Sequence, residues 1–121
     1  MIAKWIDIDN GAWRLVVDYE ITPNDMPYIS GQLIAAGATE SQLNQAYKLF
    51  HRPNEGFTLS DDGQRMSVVG IGWTTSRAQW HNSIVHEIYH VVRDICNYYG
   101  IERNSEEAAY LQGYLAQQMI L

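Results

Sequence analysis

The 121-residue chain has one cysteine, three prolines and only eight basic residues. Each shortage excludes something. Cys96 alone cannot close an internal disulfide, so nothing implies an oxidising compartment. The basic residues are outnumbered by fourteen acidic ones, for a net charge of -6, and lie singly from Lys4 to Arg103. A grip on nucleic acid needs clustered cations to neutralise phosphates, so no nucleic-acid partner is expected. No apolar run is long enough to span a bilayer, and "MIAKWIDIDNG" turns charged at once, unlike a signal peptide. The expectation is a soluble, cytoplasmic protein with no membrane partner. Repeats, low-complexity tracts and linkers are also missing, and the length suits one domain over residues 1–121.

What is present reads as a mixture of strands and helices. "AKWIDI", the turn "DNG" and "AWRLVVDYEI" form a hairpin. Pro23 and Pro27 break the strand and open a helix through "YISGQLIAAG". Thr39 with Gln42 makes a capping box for "ESQLNQAYKLF". A second hairpin follows, "FTLS", "DDGQ" and "RMSVVGIGW". Ser76 then caps a long helix that runs to Gly100, and "SEEAAYLQGYLAQQM" forms a last helix. This order predicts an α+β domain with helices on one face of a small antiparallel or mixed sheet.

The long helix carries "SIVHEIYHVV". At 3.6 residues per turn, His86, Glu87, His90 and Asp94 share an arc of about 100°. Trp80, Ile84, Ile88, Val91 and Ile95 share the opposite one. The apolar arc can bury against the sheet while the histidines face a cleft. Two imidazoles four residues apart reach one metal ion, and Glu87 between them is placed to take a proton from a metal-activated water.

Two histidines leave a zinc site short of a protein ligand. Continuation as HExxHxxGxxH fails, because Arg93 stands at the glycine position and Cys96, on an unbroken helix, points away. The alternative is a carboxylate from the last helix, Glu106 or Glu107. With Asn104 as N-cap, Glu107 takes the third helical position and folds back onto the cap. That leaves Glu106 as the favoured metal ligand, with Tyr110 one turn further along its face. Acidic residues also simply suit a helix N-terminus.

On "HEIYHVVRD", with Asp94 four residues after the second histidine, and on "EEAAY", the chain resembles the gluzincin branch of zincin-like metallopeptidases. It also resembles small, mostly uncharacterised zincin domains of phage-related and mobile-element genomes, in which a "SVVGIGW"-like strand precedes "NSIVHEIYH". The resemblance implies a zincin-like fold with His86, His90 and Glu106 as Zn²⁺ ligands and Glu87 as general base. It makes Asp94 a support for a ligand. It further implies a peptide or protein substrate pairing with the strand around Val69–Trp73, where Gly70 and Gly72 permit close approach or mark a bend. Larger members close the cleft with a second lobe that supplies an oxyanion donor. Tyr110 is the catalytic candidate for that role here, with Tyr89, Tyr98 and Tyr114 as alternatives, and each is equally a packing residue. His51 and His81 fall off the metal face.

The leading expectation is therefore a zinc-dependent metallopeptidase. Its rivals are a zinc-binding regulatory or assembly module with little or no catalysis, and a structural protein in which HEIYH is coincidence.

Overall fold

In the computed structural model, which describes residues 1–121, the local signals in the sequence place most of the elements. β1 (Ile2–Ile8) and β2 (Trp13–Ile21) are antiparallel. The turn between them holds Asp9, Asn10 and Gly11 at φ of 54°, 56° and 87°, a conformation that Asx and glycine residues tolerate. A 3-10 turn at Pro23–Asp25 leads into α1 (Met26–Ala35), and α2 (Glu40–Leu49) starts with the Thr39–Gln42 capping box. The second hairpin is β3 (Gly56–Asp61) and β4 (Met66–Gly72). α3 (Arg77–Tyr99) is capped by Ser76, whose hydroxyl accepts from the Gln79 amide, and ends at left-handed Gly100. The Ile101 amide then reaches back to the Cys96 carbonyl, closing the helix. α4 (Glu106–Met119) begins one residue later than the sequence suggests: Ser105, not Asn104, is the N-cap, and it accepts from the Ala108 amide.

The fold is α+β, with four helices and a mixed, open sheet in the order β1-β2-β4-β3. β2 and β4 run parallel. Parallel central strands are buried on both faces, and "LVV" and "SVVGI" are the near-continuous apolar runs that this requires. Two expectations are corrected here. Helices cover both faces of the sheet rather than one. α3 and α4 bury Leu15, Val17, Tyr19, Val69 and Ile71, whereas α1 and α2 bury Val16, Ile21, Met66 and Val68. Nor is the segment around Val69–Trp73 a free edge. β4 pairs with β2 and β3 on its two sides, and Gly70 is covered by the Phe57 ring rather than left open to another backbone. The free edge on this side of the sheet belongs to β3.

α4 is tied down at its far end. The Tyr19 hydroxyl, which burial pushes up to about 12, donates to the Met119 carbonyl at 2.7 Å. The Tyr114 hydroxyl donates to the Asp7 carbonyl at 2.8 Å and the Lys4 ammonium to the Gln118 carbonyl at 2.6 Å.

Asp18 is the exception on the α1 face. It has no exposed surface, and one carboxylate oxygen accepts from the Gln32 side-chain amide at 3.3 Å. Its other oxygen and the Gln32 carbonyl oxygen have no partner. Burial raises the Asp18 pKa to about 6, against the Gln32 hydrogen bond and with help from the Asp25 charge. A folded-state pKa above the unfolded value gives stability that is complete below about pH 4 and lost as pH rises through about 6. A rise from the ordinary aspartate value to about 6 corresponds to about 3 kcal/mol. Asp18→Asn, whose amide can donate to the orphaned Gln32 oxygen, should therefore be more stable than the parent at pH 7 and nearly flat between pH 4 and 7. Urea unfolding at both pH values checks this. Parallel slopes for the two proteins would contradict it.

Candidate functional site

α3 lies along β3, and the meeting surface is polar by design of the strand alternation. Gly56, Thr58 and Ser60 face the helix, while Phe57 and Leu59 join the apolar cluster on the other side. Glu87 and Asp94, seven residues apart, face this strip from the helix. The Thr58 hydroxyl donates to Glu87 Oε1 at 2.9 Å, and the Ser60 hydroxyl donates to Asp94 Oδ2 at 2.7 Å. Asp94 also takes two bonds from the Arg93 guanidinium, at 3.0 and 2.9 Å. Behind the strip, Ser60 and Ser67 share a 2.8 Å hydrogen bond, and the buried Trp13 indole donates to Ser67 at 3.0 Å. A hydrogen-bonded chain thus runs from Trp13 in β2 through β4 and β3 to Asp94 on α3.

Glu87 is 4% exposed. A side chain at Gly56 would place a Cβ 3.1 Å from Glu87 Oε2, so glycine there is what lets the carboxylate settle against the strand. Burial raises the Glu87 pKa, the Thr58 hydrogen bond and nearby His86 lower it, and the Glu55 charge raises it again. The result is a carboxyl group above its ordinary range, with one oxygen bonded and the other close to the backbone.

His86 is exposed and His90 half-buried. Their Nε2 atoms approach to 3.2 Å. Two nitrogens bound at about 2.0–2.1 Å to one tetrahedral ion would lie about 3.3 Å apart, so the pair spans what two ligands of one metal span. His90 Nδ1 is buried without a partner. Burial, Arg93 and His86 hold His90 below the usual histidine range, against the pull of Asp94, and so favour the neutral ring, in which one nitrogen donates and the other is free to accept.

The two histidines fit a metal, but the structure assembles no third ligand. No three His, Cys, Asp or Glu side chains are grouped so as to hold an ion. Asp94 is occupied by Ser60 and Arg93 and does not orient His90. Glu106 is exposed and shares a cavity with Tyr89 and Arg93; His90, whose ring centre is 5.7 Å from that of Tyr89, does not line it. Glu107 lines a different cavity with Trp13 and Tyr99. Tyr110 is 75% exposed and does not line the Glu106 cavity. Tyr114 and Tyr98 are taken up elsewhere, the first by Asp7 and the second by an edge contact with Trp13. Tyr89, which accepts from Arg103 at 3.3 Å, is the tyrosine beside the histidines. Cys96 is fully buried and far from being a ligand.

Thr58, Ser60, Ser67 and Gly56 were not singled out from the sequence. The signal was the alternation in "GFTLS", which sets two hydroxyls and a glycine on one face of a strand next to a helix with a polar arc.

Comparison with protein-family models, curated proteins and solved structures finds no match to this chain. Together with the lack of an assembled three-ligand group, this overturns the resemblance both to gluzincins and to the small zincin domains of phage-related and mobile-element genomes. A few short motifs suggested it, and neither the chain as a whole nor its side-chain arrangement carries it.

The Thr58 hydroxyl is the one side-chain donor to the Glu87 carboxylate. Thr58→Val should cost about 1–3 kcal/mol, measured by urea unfolding at pH 7, while Thr58→Ser stays near the parent. A valine variant as stable as the parent would show that the bond carries no weight.

Proposed function

We propose that His86 and His90 hold a divalent metal ion, with zinc the expected one, and that the protein is a metal-dependent hydrolase acting on peptide bonds. The 3.2 Å approach of the two Nε2 atoms, with Glu87 buried beside them, is the observation that supports this reading most. Glu106 is the proposed third ligand, because it shares a cavity with Tyr89 and Arg93, which flank His90 in the sequence of α3, whereas Glu107 lines the other cavity. The finer architecture proposed is thus a long histidine-bearing helix completed by a carboxylate from the C-terminal helix.

A bound ion of this kind supplies Lewis-acid activation of water and of a substrate carbonyl. The chain's own groups do the rest. Glu87, with a raised pKa, accepts a proton from the attacking water and returns it to the leaving amine. Thr58 fixes one Glu87 oxygen and so aims the other. The unpaired edge of β3 runs beside Glu87 and offers backbone donors and acceptors to an extended peptide. Tyr89 is better placed than Tyr110 to meet a developing oxyanion near His90.

A second reading keeps the metal and drops the catalysis, giving a metal-binding regulatory or assembly module. What favours it is that Glu87 is already bonded and almost wholly buried.

Metal content by mass spectrometry on untagged protein separates these accounts. The expectation is about one zinc per chain, lost in His86→Ala and His90→Ala, weakened in Glu106→Ala and kept in Glu107→Ala. Cleavage of a peptide library should fall by about 10²–10⁴-fold in Glu87→Gln. Zinc without cleavage selects the second reading. No zinc uptake, even with zinc supplied, ends both.

A further inference from the structure

The sheet has two open edges, β3 at one end and β1 at the other. Edge strands are commonly kept from pairing with other chains by a bulge, a proline or an outward charge. β1 has little of this. Its seven residues pair with β2 in unbroken register and include no proline or glycine. Lys4, its one cation, is drawn away from the edge, with its ammonium held by the Gln118 carbonyl of α4. The backbone groups that face outward can be read from β2. The Arg14 amide donates to the Arg65 carbonyl, so Arg14 turns toward β4 and does not bond to Asp7, its neighbour on β1. Bonded and non-bonded pairs alternate along an antiparallel ladder. Ala3, Trp5 and Asp7 therefore all present their amide and carbonyl groups to the open edge. The Asp7 carbonyl accepts from the Tyr114 hydroxyl, and its oxygen has a second lone pair to offer. Trp5, at the centre of the strand, is 56% exposed, and Ile2 at its start is 52% exposed.

We propose that the β1 edge takes a second copy of this chain, β1 against β1, antiparallel about a two-fold axis at Trp5. A closed two-fold contact uses the same patch on both copies, so the patch must complement itself. This one does. With the axis at Trp5, Trp5 faces Trp5 of the second copy and Ala3 faces Asp7, and each facing pair exchanges two backbone bonds. On the other side of the strand, exposed Ile2 meets Ile8 and Lys4 meets Ile6, so no like charges stand opposite each other. An axis at Lys4 would oppose two lysines. An axis at Ile6 would set Trp5 against Asp7 and leave Ala3 without a strand partner. The register at Trp5 joins two four-stranded sheets into one and places the two indoles side by side on the face that Val16 shares. Two strands of this length make a small interface, so the dimer is reversible and depends on concentration. It lies at the opposite end of the sheet from β3 and does not rest on the metal site.

Sedimentation equilibrium of the full chain at pH 7, over a concentration series reaching the millimolar range, tests this together with amide hydrogen exchange by NMR at both ends of the series. The expected result is a reversible monomer–dimer equilibrium. The amides of Ala3, Trp5 and Asp7 should exchange freely at low concentration and slow down at high concentration, while those of Lys4 and Ile6, bonded to β2, stay slow at both. Ala3→Pro removes an outward amide that β2 does not use, and Trp5→Lys sets like charges opposite each other across the axis. Both variants should remain folded by urea unfolding at low concentration and associate about tenfold or more weakly than the parent. A chain that is monomeric throughout, a dimer that either variant leaves intact, slowed exchange that misses the three outward amides, or open-ended assembly in place of a closed dimer would each overturn the proposal.

Discussion

A carboxylate taken out of water is unfavourable by several kcal/mol unless hydrogen bonds or a lost charge compensate, and the burial of Glu87 against β3 is the constraint from which the rest of this site follows. The strand meets it with Gly56, whose missing side chain leaves room, and with the Thr58 hydroxyl. Two turns further along α3, Ser60 does the same for Asp94. Two such anchors fix both the axial position and the rotation of α3 over the strand. Once those are set, the apolar arc from Trp80 to Ile95 must lie on the sheet, and His86 and His90 must lie on the flank with their Nε2 atoms converging. The histidines converge because they are four residues apart on one helix, and where the pair faces follows from how buried Glu87 and half-buried Asp94 seat that helix on β3.

The two faces of the sheet handle buried charge differently. On the α3 face, Ser60 and Ser67 relay hydrogen bonds from the Trp13 indole to Asp94, which Arg93 also caps. On the α1 face, Asp18 has a single amide partner and keeps one orphaned oxygen. The difference lies in what stands opposite. β3 presents two hydroxyls to α3, whereas Asp18 sits across from Gly70, beside the register shift that interrupts β2, with only Gln32 within reach. Burial raises the pKa of Asp18 and of Glu87 alike, and the hydrogen bond that each accepts works against that rise.

Local chemistry made much of the fold legible. Ser76 and Gly100 bound α3 and Thr39 with Gln42 opens α2, because caps depend on residues three or four apart. The two hairpins were equally legible from alternation and turn residues. Strand order was not, since the parallel pairing of β2 with β4 is set by packing between segments some fifty residues apart in sequence. The glycines of β4 suggested an approaching backbone, but a neighbouring strand can fill the same space, and Phe57 does. At the site, His86, Glu87 and His90 share one helix face as their spacing requires. The spacing could not say that Glu87 would turn inward to β3 while His86 stayed in solvent, because that depends on a strand whose place beside α3 is a tertiary fact.

The start of α4 lies one residue later than the sequence suggests, but the cap does not decide where its glutamates point. Asn104 and Ser105 are both good caps, and intrinsic preference does not separate them. The rotation of α4 is set at its other end, which Tyr19, Lys4 and Tyr114 hold. Each residue of a helix is rotated by about 100° from the last. With Ser105 as the cap, Glu106 and Glu107 become the first two helical residues and look into different cavities, one beside Tyr89 and the other beside Trp13 and Tyr99. A helix begun one residue earlier, with its far end still fixed, would leave both glutamates at the same rotation, so the division does not depend on the cap. The anchoring of the C-terminal residues to the sheet, more than anything in "NSEE" itself, thus decides which glutamate lines the cavity beside Tyr89.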